Sequence, residues 1–297
     1  AQEAGKQISV LPRINPKTPP RKFGLSMSGR PSQFGIDEEH LDSVLARRDR
    51  WSNLDFVGFH IYSATNSLDE EAIAENIGHC IELFTRFSAD HDITPKKLIF
   101  GSGFGIPHLP EEDPLDVPRM AALINSQIDD MRKNPQLADA ECVLEMGRFL
   151  VGPHGYLLTS VVREKTSRGT EIRMCDAGFN NHLVACGMMG TLVRRDWRFE
   201  KVNGSTDGPR QSYLLTGPLC TTLDTLAMQV ELPTLEVDDV LAVSMSGAYG
   251  LTCSPTRFIS HPEPREVLVV GSEQTCEFID ATESGRSALV SSESCTA

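Results

Sequence analysis

The first half of the chain alternates short apolar runs with amphipathic segments. The apolar runs are rich in β-branched and aromatic residues and predict strands at 8–15, 55–63, 96–105 and 142–148, the third of them ending in a glycine-rich turn. Between them, apolar positions recur at helical spacing and predict helices at 37–51, from about 67 and at about 117–133. This order predicts parallel strands with helices packed outside them.

Local signals mark the ends of these helices. Asp37 is the predicted N-cap of the first helix, and SLDE (67–70) reads as a capping box for the second. The second helix carries apolar residues at helical spacing, namely Ile73, Ile77, Ile81 and Phe84. Pro118 lies in the first turn of the third helix, and the Asn-Pro pair at 134–135 ends it.

The second half has a different pattern. GYLLTSVVREK (155–165), a turn at 167–169 and TEIRMCDAG (170–178) predict a β-hairpin, and RQSYLLTG, DDVLAVSMSG and REVLVVG predict further strands. Helical periodicity is almost absent after Gly155. We therefore predict an α/β domain over 1–154 and a mostly β domain over 155–297, whose Ser-rich tail after about Asp280 frays.

Composition and charge exclude several classes of protein. The 297 residues are 40% hydrophobic and 23% charged, which is a globular rather than a disordered composition. There are 28 Lys and Arg against 41 Asp and Glu, and this net charge of −13 argues against nucleic-acid binding. No apolar stretch approaches the roughly 20 residues that span a bilayer. The chain starts AQEAGKQISV, without an initiator Met or a signal peptide, so we expect a processed chain or part of a longer protein.

The cysteines and histidines indicate a reducing compartment and no metal centre. The eight cysteines form no CxxC pair, and several sit in apolar runs, as in ECVLEM and IRMCDAG. This pattern is typical of buried thiols in the cytoplasm rather than of a disulfide framework. The eight histidines show neither HxH nor HExxH spacing, so a zinc site has little support.

Three motifs at strand ends could carry chemistry, and each also has a structural interpretation. GSGFG (101–105) is either a phosphate-binding loop or a tight turn, and its spacing does not match a dinucleotide-binding motif. Glu145 and Arg148 are either an ion pair or two site groups, one for a cationic ring nitrogen and one for a phosphate. A lone histidine in an apolar strand, such as His60, is more often a core residue than a catalyst. Ser63, at the end of that run, caps the turn or binds an anion.

The β part contributes three weaker candidates. Cys220 follows Gly-Pro in GPLCTTLD, and a loop cysteine is less often a packing residue than a strand cysteine. Asp176 and Tyr249 each follow a β-run next to glycine.

Taken in order, these motifs resemble the fold-III pyridoxal-phosphate decarboxylases of the diaminopimelate and ornithine decarboxylase type. The similarity runs nearly end to end, through RINP, KFG, FHIYS, GSGFG, EMGR, MCDAGFN, GPLCTTLD, SGAYG and PREVLVV. The resemblance implies a partial (β/α)8 barrel of the alanine-racemase type followed by a C-terminal β-domain. It also implies a homodimer, with pyridoxal 5'-phosphate as cofactor and an amino acid as substrate.

The resemblance also implies roles for individual residues. His60 would stack on the pyridine ring, Glu145 would pair with the ring nitrogen, and Cys220 would protonate the carbanion across the dimer interface. Arg13 and Lys22 would be charges near the ring, and Asp176 and Thr221 would face the substrate side chain. The backbone of Gly101, Ser102, Gly103 and Phe104 would cradle the cofactor phosphate, and Ser63, Gly147, Arg148 and Tyr249 would complete the phosphate site. A protonated ring delocalises the carbanion left by decarboxylation, and a carboxylate at its nitrogen keeps it protonated.

The chain departs from the family pattern in three ways. The Schiff-base lysine lies in a first barrel strand with an aromatic-Ala-x-Lys-Ala pattern, and no such motif occurs here. We therefore expect a C-terminal portion of a longer protein or a natural half, with exposed strand edges. Thr221 and Thr222 follow Cys220 where an acidic residue usually faces a distal amine. Tyr62 stands where the family usually has glycine and would crowd the cofactor.

These features favour a decarboxylase for an amino acid or amino-acid conjugate without a free distal amine, for instance in siderophore or antibiotic assembly. Two alternatives stay open. One is a lysine-less regulatory relative that binds a decarboxylase protomer and inactivates it. The other is a racemase of the same barrel family, although the GPLC loop favours the decarboxylase.

Overall fold

The computed structural model describes residues 1–188, 194–272, 275–280 and 289–290, with side chains described as far as residue 271. The tail predicted to fray lies outside the described residues, apart from Leu289–Val290, as do the side chains of Cys276 and Cys295. No helix in the described part of the chain is both long enough and apolar enough to cross a membrane.

Residues 1–154, all of them described, contain a parallel sheet with helices. The strands are β1 Ile8–Val10, β2 Arg13–Asn15, β3 Leu25–Ser26, β4 Ile36–Asp37, β5 Leu54–Phe56, β6 Gly58–Tyr62, β7 Ala64–Thr65, β8 Lys97–Gly101 and β9 Glu141–Glu145. The helices are α1 Glu38–Leu45, α2 Glu70–Asp90, α3 Val117–Met131 and α4 Gly147–Val151. Five strands pair in parallel in the order β4-β2-β6-β8-β9. The sheet therefore brings the carboxyl ends of β6, β8 and β9 to one edge.

Aromatic packing fixes α2 against this sheet. Phe59 of β6 and Phe100 of β8 point into the core, and the ring of Phe84 from α2 lies 6.0 Å from the first and 5.2 Å from the second. All three side chains are almost completely buried. Removing a ring of this kind typically costs about 3–5 kcal/mol. The helical spacing of apolar residues in α2 is thus confirmed as its core-facing side.

Two predicted strands are each divided in the structure. The run 8–15 forms β1, which pairs with β5, and β2, which pairs with β4 and β6. Pro12 lies between them and has no N–H for a ladder hydrogen bond. The run 55–63 is broken before Gly58, whose φ of +154° lies outside the normal strand range.

One helix end and one strand end were predicted wrongly, and the predicted N-cap of the first helix does not cap through its side chain. The first helix stops at Leu45 instead of 51, because the next core-facing positions are charged, and a 3-10 turn follows at Arg48–Arg50. Asp37 is its N-cap residue, but its carboxylate accepts from Asn15 Nδ2 instead of capping. The fourth strand ends at Glu145, and α4 begins at Gly147.

The capping box at 67–70 is also wrong. Asp69 is the N-cap of α2 and accepts from Ala72 N at 2.8 Å. The Ser67 hydroxyl instead donates to Lys22 O and accepts from Asp69 N. Asp116 caps α3 in the same way, by accepting from Arg119 N. In both helices the N-cap is therefore an aspartate three residues before the N–H that it accepts from.

The described residues after Gly155 form sheets with no α-helix. Their strands are β10 Leu157–Ser167, β11 Thr170–Cys175, β12 Phe199–Lys201, β13 Arg210–Thr216, β14 Thr225–Pro233, β15 Val240–Val243, β16 Val267–Ser272, β17 Thr275–Asp280 and β18 Leu289–Val290. Six strands pair in the order β12-β15-β10-β11-β13-β14, with only β11 and β13 parallel. The predicted hairpin is confirmed as β10–β11. The sequence pattern did not predict β12, β14, β17 or β18.

Each part has its own hydrophobic core, and backbone hydrogen bonds join the two parts. One core contains Phe84 and the other Tyr213. Gly247 N donates to Gly152 O at 3.0 Å, and Arg198 N donates to His108 O at 3.1 Å. The change from parallel to antiparallel sheet falls close to the domain boundary proposed between residues 154 and 155.

Candidate active site

A cavity of about 720 Å³ opens where the sheet edge meets the β part. Residues from both parts line it, among them His60, Tyr62, Glu145, Arg148, Trp197 and Tyr249. No lysine belongs to its lining in the described part of the chain. The strand order explains the position, since β6, β8 and β9 end beside one another here.

His60 and Glu145 meet in this cavity. His60 Nε2 lies 3.3 Å from Glu145 Oε2, although 85 residues separate them along the chain. Burial lowers the pKa of His60; the Glu145 carboxylate opposes this and Arg13 adds to it. The imidazole is therefore neutral near pH 7. The side chain of Glu145 is 42% exposed and can accept a hydrogen bond from a ligand cation.

Arg13 is the cation that lines the cavity beside His60 and Glu145, and Lys22 does not line the cavity. Arg13 donates to Tyr62 O at 3.2 Å, and its guanidinium lies 4.8 Å from the ring centre of Phe34. Lys22 is exposed and pairs with Asp69 at 2.7 Å, outside the cavity lining. The cavity lining therefore gives no support to the prediction that Lys22 lies near the ring.

A smaller cavity of about 130 Å³ adjoins the first and suits an anion. It is lined by Gly103, Phe104, Gly147, Arg148 and Tyr249 together with residues of the larger cavity. Gly103 has φ +67°, and a Cβ there would lie 2.7 Å from Ala64 O, so only glycine fits. The space over Gly147 is open.

Arg148 supports the same interpretation. Its Nε is buried and has no hydrogen-bond partner among the described residues. Burial lowers the pKa of this guanidinium, and Tyr249 counteracts the effect. A buried guanidinium without an acceptor is costly, and a phosphate would satisfy it. The cavity thus fits the phosphate of a bound cofactor.

Tyr249 reaches this position because two glycines let the chain segments touch. A Cβ on Gly247 would lie 1.9 Å from Val151 O, and one on Gly155 would lie 2.3 Å from Gly247 Cα. Tyr249 itself has φ +61°. The turn after β15 is therefore pressed against the end of α4, and its tyrosine faces Arg148.

Three residues predicted to hold the phosphate lie outside both cavities. Ser102 donates to Glu145 O at 2.6 Å and so anchors the end of β9. A Cβ on Gly101 would lie 2.3 Å from the Tyr62 ring, so this glycine makes room for the tyrosine. Ser63 is 1% exposed and faces the thiol of Cys80 in α2.

The residues predicted to act on substrate are not brought to the cavity of their own chain. Asp176 accepts from Thr159 Oγ1 at 2.7 Å and from Ser160 N at 2.8 Å. Cys220 is exposed at the tip of its loop, and Thr221 Oγ1 accepts from Leu223 N. None of the three lines either cavity.

Sequence reasoning missed the far wall of the cavity. His108 and His182 flank Trp197, with ring centres 4.5 and 4.6 Å from it. Burial lowers the pKa of each histidine to about 4. Arg195 also lines the wall and pairs with Glu111. The only signal in the sequence is the cluster RRDWR, which has neither strand nor helix periodicity.

The chain is similar to known decarboxylases. Residues 44–247 match the family model described as "Pyridoxal-dependent decarboxylase, C-terminal sheet domain". The chain is 30% identical over 271 residues to L-glutamyl-[BtrI acyl-carrier protein] decarboxylase of Niallia circulans. It is 27% identical over 284 residues to 2-[(L-alanin-3-ylcarbamoyl)methyl]-2-hydroxybutanedioate decarboxylase of Staphylococcus aureus. These matches cover 90% and 92% of the chain but only 63% and 68% of the two relatives.

Solved structures share the fold. Diaminopimelate decarboxylase from Helicobacter pylori, complexed with L-lysine, has a TM-score of 0.74 at 22% identity. The enzyme from M. jannaschi has a TM-score of 0.75 at 24% identity. Each match covers 90% of this chain, and 63% and 60% of the other chain. The predicted partial barrel with a C-terminal β-domain is confirmed.

Proposed function

The chain belongs to the pyridoxal-dependent decarboxylase family, and we propose that the protein decarboxylates an L-amino-acid conjugate as a carbon–carbon lyase with pyridoxal 5'-phosphate. One observation carries the proposal. The His60–Glu145 pair lies in the larger cavity and the anion-sized cavity adjoins it, since Tyr62, Glu145, Arg148 and Tyr249 line both.

The residues fit the cofactor group by group. Arg148, Tyr249 and the backbone at Gly103, Phe104 and Gly147 would hold the phosphate. Glu145 would keep the proton on the ring nitrogen, and the neutral imidazole of His60 would lie against the ring face. When bound, pyridoxal phosphate supplies the electron sink that decarboxylation requires.

The substrate proposal rests on the loop after Cys220 and on the relatives. Thr221 and Thr222 place no carboxylate directly after Cys220 to bind a distal amine. The two curated relatives act on a glutamyl group attached to a carrier protein and on an amide conjugate ending in hydroxybutanedioate. We therefore propose a substrate whose far end is uncharged, acidic or attached to something larger.

The acid that completes the reaction comes from a second copy of the chain in this proposal. Cys220 is exposed and does not line the cavity of its own chain. A homodimer that places Cys220 of one protomer in the cavity of its partner gives each site a thiol on one face. A thiol held on one face can donate the proton that replaces carbon dioxide.

We also propose that the protein resides in the cytoplasm, a reducing compartment in which cysteines stay as free thiols. All six described cysteines are free. Burial raises the pKa of Cys80, Cys175 and Cys186 to about 12, which keeps these three thiols unreactive.

Substrate discrimination tests the proposal. The full-length natural protein is loaded with pyridoxal phosphate, and carbon dioxide release is followed with several candidates. These are the γ-thioester of L-glutamate with pantetheine, 3-N-succinyl-L-2,3-diaminopropionate, ornithine, lysine and diaminopimelate. We expect the highest kcat/KM with a conjugate. Efficient turnover of ornithine or lysine would contradict the substrate assignment. Racemisation without carbon dioxide would favour the racemase, and inhibition of a second decarboxylase by an inactive protein would favour the regulatory relative.

A further inference from the structure

Asp224 is a buried carboxylate that holds two loops by their backbones. It is 3% exposed and ends the GPLCTTLD segment. Its Oδ2 accepts from Leu219 N at 2.7 Å, and its Oδ1 accepts from Phe179 N at 2.8 Å. In the part of the chain that the structure describes, no lysine or arginine forms an ion pair with it. Its polar contacts are therefore with backbone N–H groups.

Two glycines make these contacts sterically feasible. A Cβ on Gly178 would lie 2.2 Å from Asp224 Oδ1. A Cβ on Gly217 would lie 2.3 Å from Asp224 Oδ2 and 2.5 Å from Gly178 Cα. The two segments thus touch backbone to backbone around the carboxylate, and neither glycine has room for a side chain.

The loop that carries Cys220 is also closed on itself. Gly217 N donates to Asp224 O at 3.0 Å, and Asp224 N donates to Thr221 O at 3.2 Å. Leu219, which immediately precedes Cys220, has its N–H held by the carboxylate. The position of the exposed thiol relative to the rest of the β part therefore depends on Asp224.

The second segment held by Asp224 carries Asp176. Ala177 N donates to Thr159 Oγ1, the same hydroxyl that donates to Asp176. This segment is therefore bound to β10 at one end and to Asp224 at Phe179. Through it, Asp224 connects the two loops that carry Cys220 and Asp176.

We propose that Asp224 is a positioning residue that fixes the Cys220 thiol relative to the Asp176 segment, so that the proton reaches one face of the reacting carbon. The inference rests on the proposed function. Asp224 acts only through the backbone of the Cys220 loop and touches neither substrate nor cofactor.

The test is the stereochemistry of proton delivery. The holoenzyme decarboxylates its substrate in D2O, and NMR of the derivatised amine product reports how deuterium is distributed between the two positions at the former α-carbon. An acid fixed on one face gives a single configuration. Asp224→Asn keeps one acceptor but turns an amide N–H₂ toward the other N–H. We expect kcat to fall about tenfold or more, KM to change little, and the configuration to become mixed.

Two further variants keep the inference falsifiable. Gly217→Ala displaces one carboxylate oxygen without removing the charge, so it gives the same readout if Asp224→Asn does not fold. Asp239→Asn is the matched control, because Asp239 is also buried and accepts from Glu236 N but lies in another turn. We expect this control to keep a single configuration.

The outcomes separate the inference from the proposed function. A single configuration and unchanged kcat in both Asp224→Asn and Gly217→Ala would overturn the inference while leaving the decarboxylase intact. A single configuration in Cys220→Ala would overturn both the role of the thiol and the inference. No carbon dioxide from the wild-type holoenzyme with any substrate would contradict the proposed function, and the inference with it.

Discussion

The guanidinium carbon of Arg148 lies 4.6 Å from the centre of the Tyr249 ring. Arg148 belongs to the parallel-sheet part and Tyr249 to the β part, so this contact joins the two across the anion-sized cavity. A cation over an aromatic face is attracted by the ring and keeps its N–H groups free to donate at its edges. This contact leaves the donors of Arg148 available for a phosphate.

Replacing Arg148 tests the phosphate site. Arg148→Ala removes the charge-assisted hydrogen bonds to the phosphate, and we expect the Kd of pyridoxal phosphate to rise about 10- to 100-fold. Quenching of intrinsic fluorescence on titration measures this Kd. Arg119→Ala is the control, because Arg119 pairs with Glu71 on the outer helices. Equal Kd values for wild type and Arg148→Ala would contradict the assignment.

Replacing Glu145 separates catalysis from binding. Glu145→Gln keeps the shape but loses the negative charge that holds a proton on the ring nitrogen. We expect kcat to fall about 100-fold or more, and the Kd of pyridoxal phosphate to change less than in Arg148→Ala. Glu141→Gln, at the other end of β9 and paired with Lys97, is the matched control. A kcat within twofold of wild type would show that Glu145 has another role.

The position of Tyr249 depends on the lack of a side chain at Gly247. Gly247→Ala forces a Cβ to within 1.9 Å of Val151 O, so the turn must move away from α4. We expect weaker binding of pyridoxal phosphate and a lower Tm, measured by titration and thermal unfolding. In the control Gly78→Ala, the new Cβ meets only the flexible Gln127 side chain at 3.0 Å. Wild-type affinity in Gly247→Ala would mean that Tyr249 contributes nothing to the site.

His182 makes the stability of the fold depend on pH. Its Nδ1 accepts from Ala185 N, and its Nε2 lies 3.0 Å from Ser246 Oγ, so the folded state needs the neutral ring. The folded pKa is about 4, whereas the unfolded value is near 6.5. The unfolded chain therefore binds the extra proton between these values. The contribution of the neutral His182 to stability is therefore complete above pH 6.5. It is lost as the pH falls toward 4, at up to about 1.4 kcal/mol per pH unit.

Denaturant unfolding at pH 7 and pH 5 measures this effect. His182→Asn has no ionisable ring, and its side-chain oxygen can still accept from Ala185 N. We expect it to be less stable than wild type at pH 7, with a smaller loss of stability between pH 7 and pH 5. His40→Asn, on the exposed face of α1, is the control. If His182→Asn loses as much free energy of unfolding between pH 7 and pH 5 as the wild type does, the assignment of a buried neutral histidine is contradicted.

The sequence was informative where strand order alone determines proximity. His60 and Glu145 each lie at or near the carboxyl end of a strand in one parallel sheet, so their meeting follows from the β-α-β order. Gly103 was singled out by its glycine-rich loop at a strand end, whereas Gly147 was implied by the family resemblance. The far wall with Trp197 could not be predicted, because it depends on how the β part packs against the loop that carries His108.

Residues that act through the backbone were also missed or misjudged. Ser102 was expected to cradle the phosphate with its backbone, but it lines neither cavity, and its hydroxyl donates to Glu145 O. Asp224, the last residue of GPLCTTLD, was not identified as a candidate, because its partners are backbone N–H groups on two separate segments. A pattern of residue types records which side chains are present, whereas these contacts depend on where the main chain passes.

The most direct test of the account is carbon dioxide release by the full-length natural protein with and without pyridoxal phosphate. The assay uses the γ-thioester of L-glutamate with pantetheine and the succinyl conjugate of 2,3-diaminopropionate, with Arg148→Ala measured in parallel. The account predicts release that requires the cofactor and that falls in Arg148→Ala at limiting pyridoxal phosphate. A protein that binds the cofactor yet releases no carbon dioxide from these conjugates or from free amino acids would contradict it.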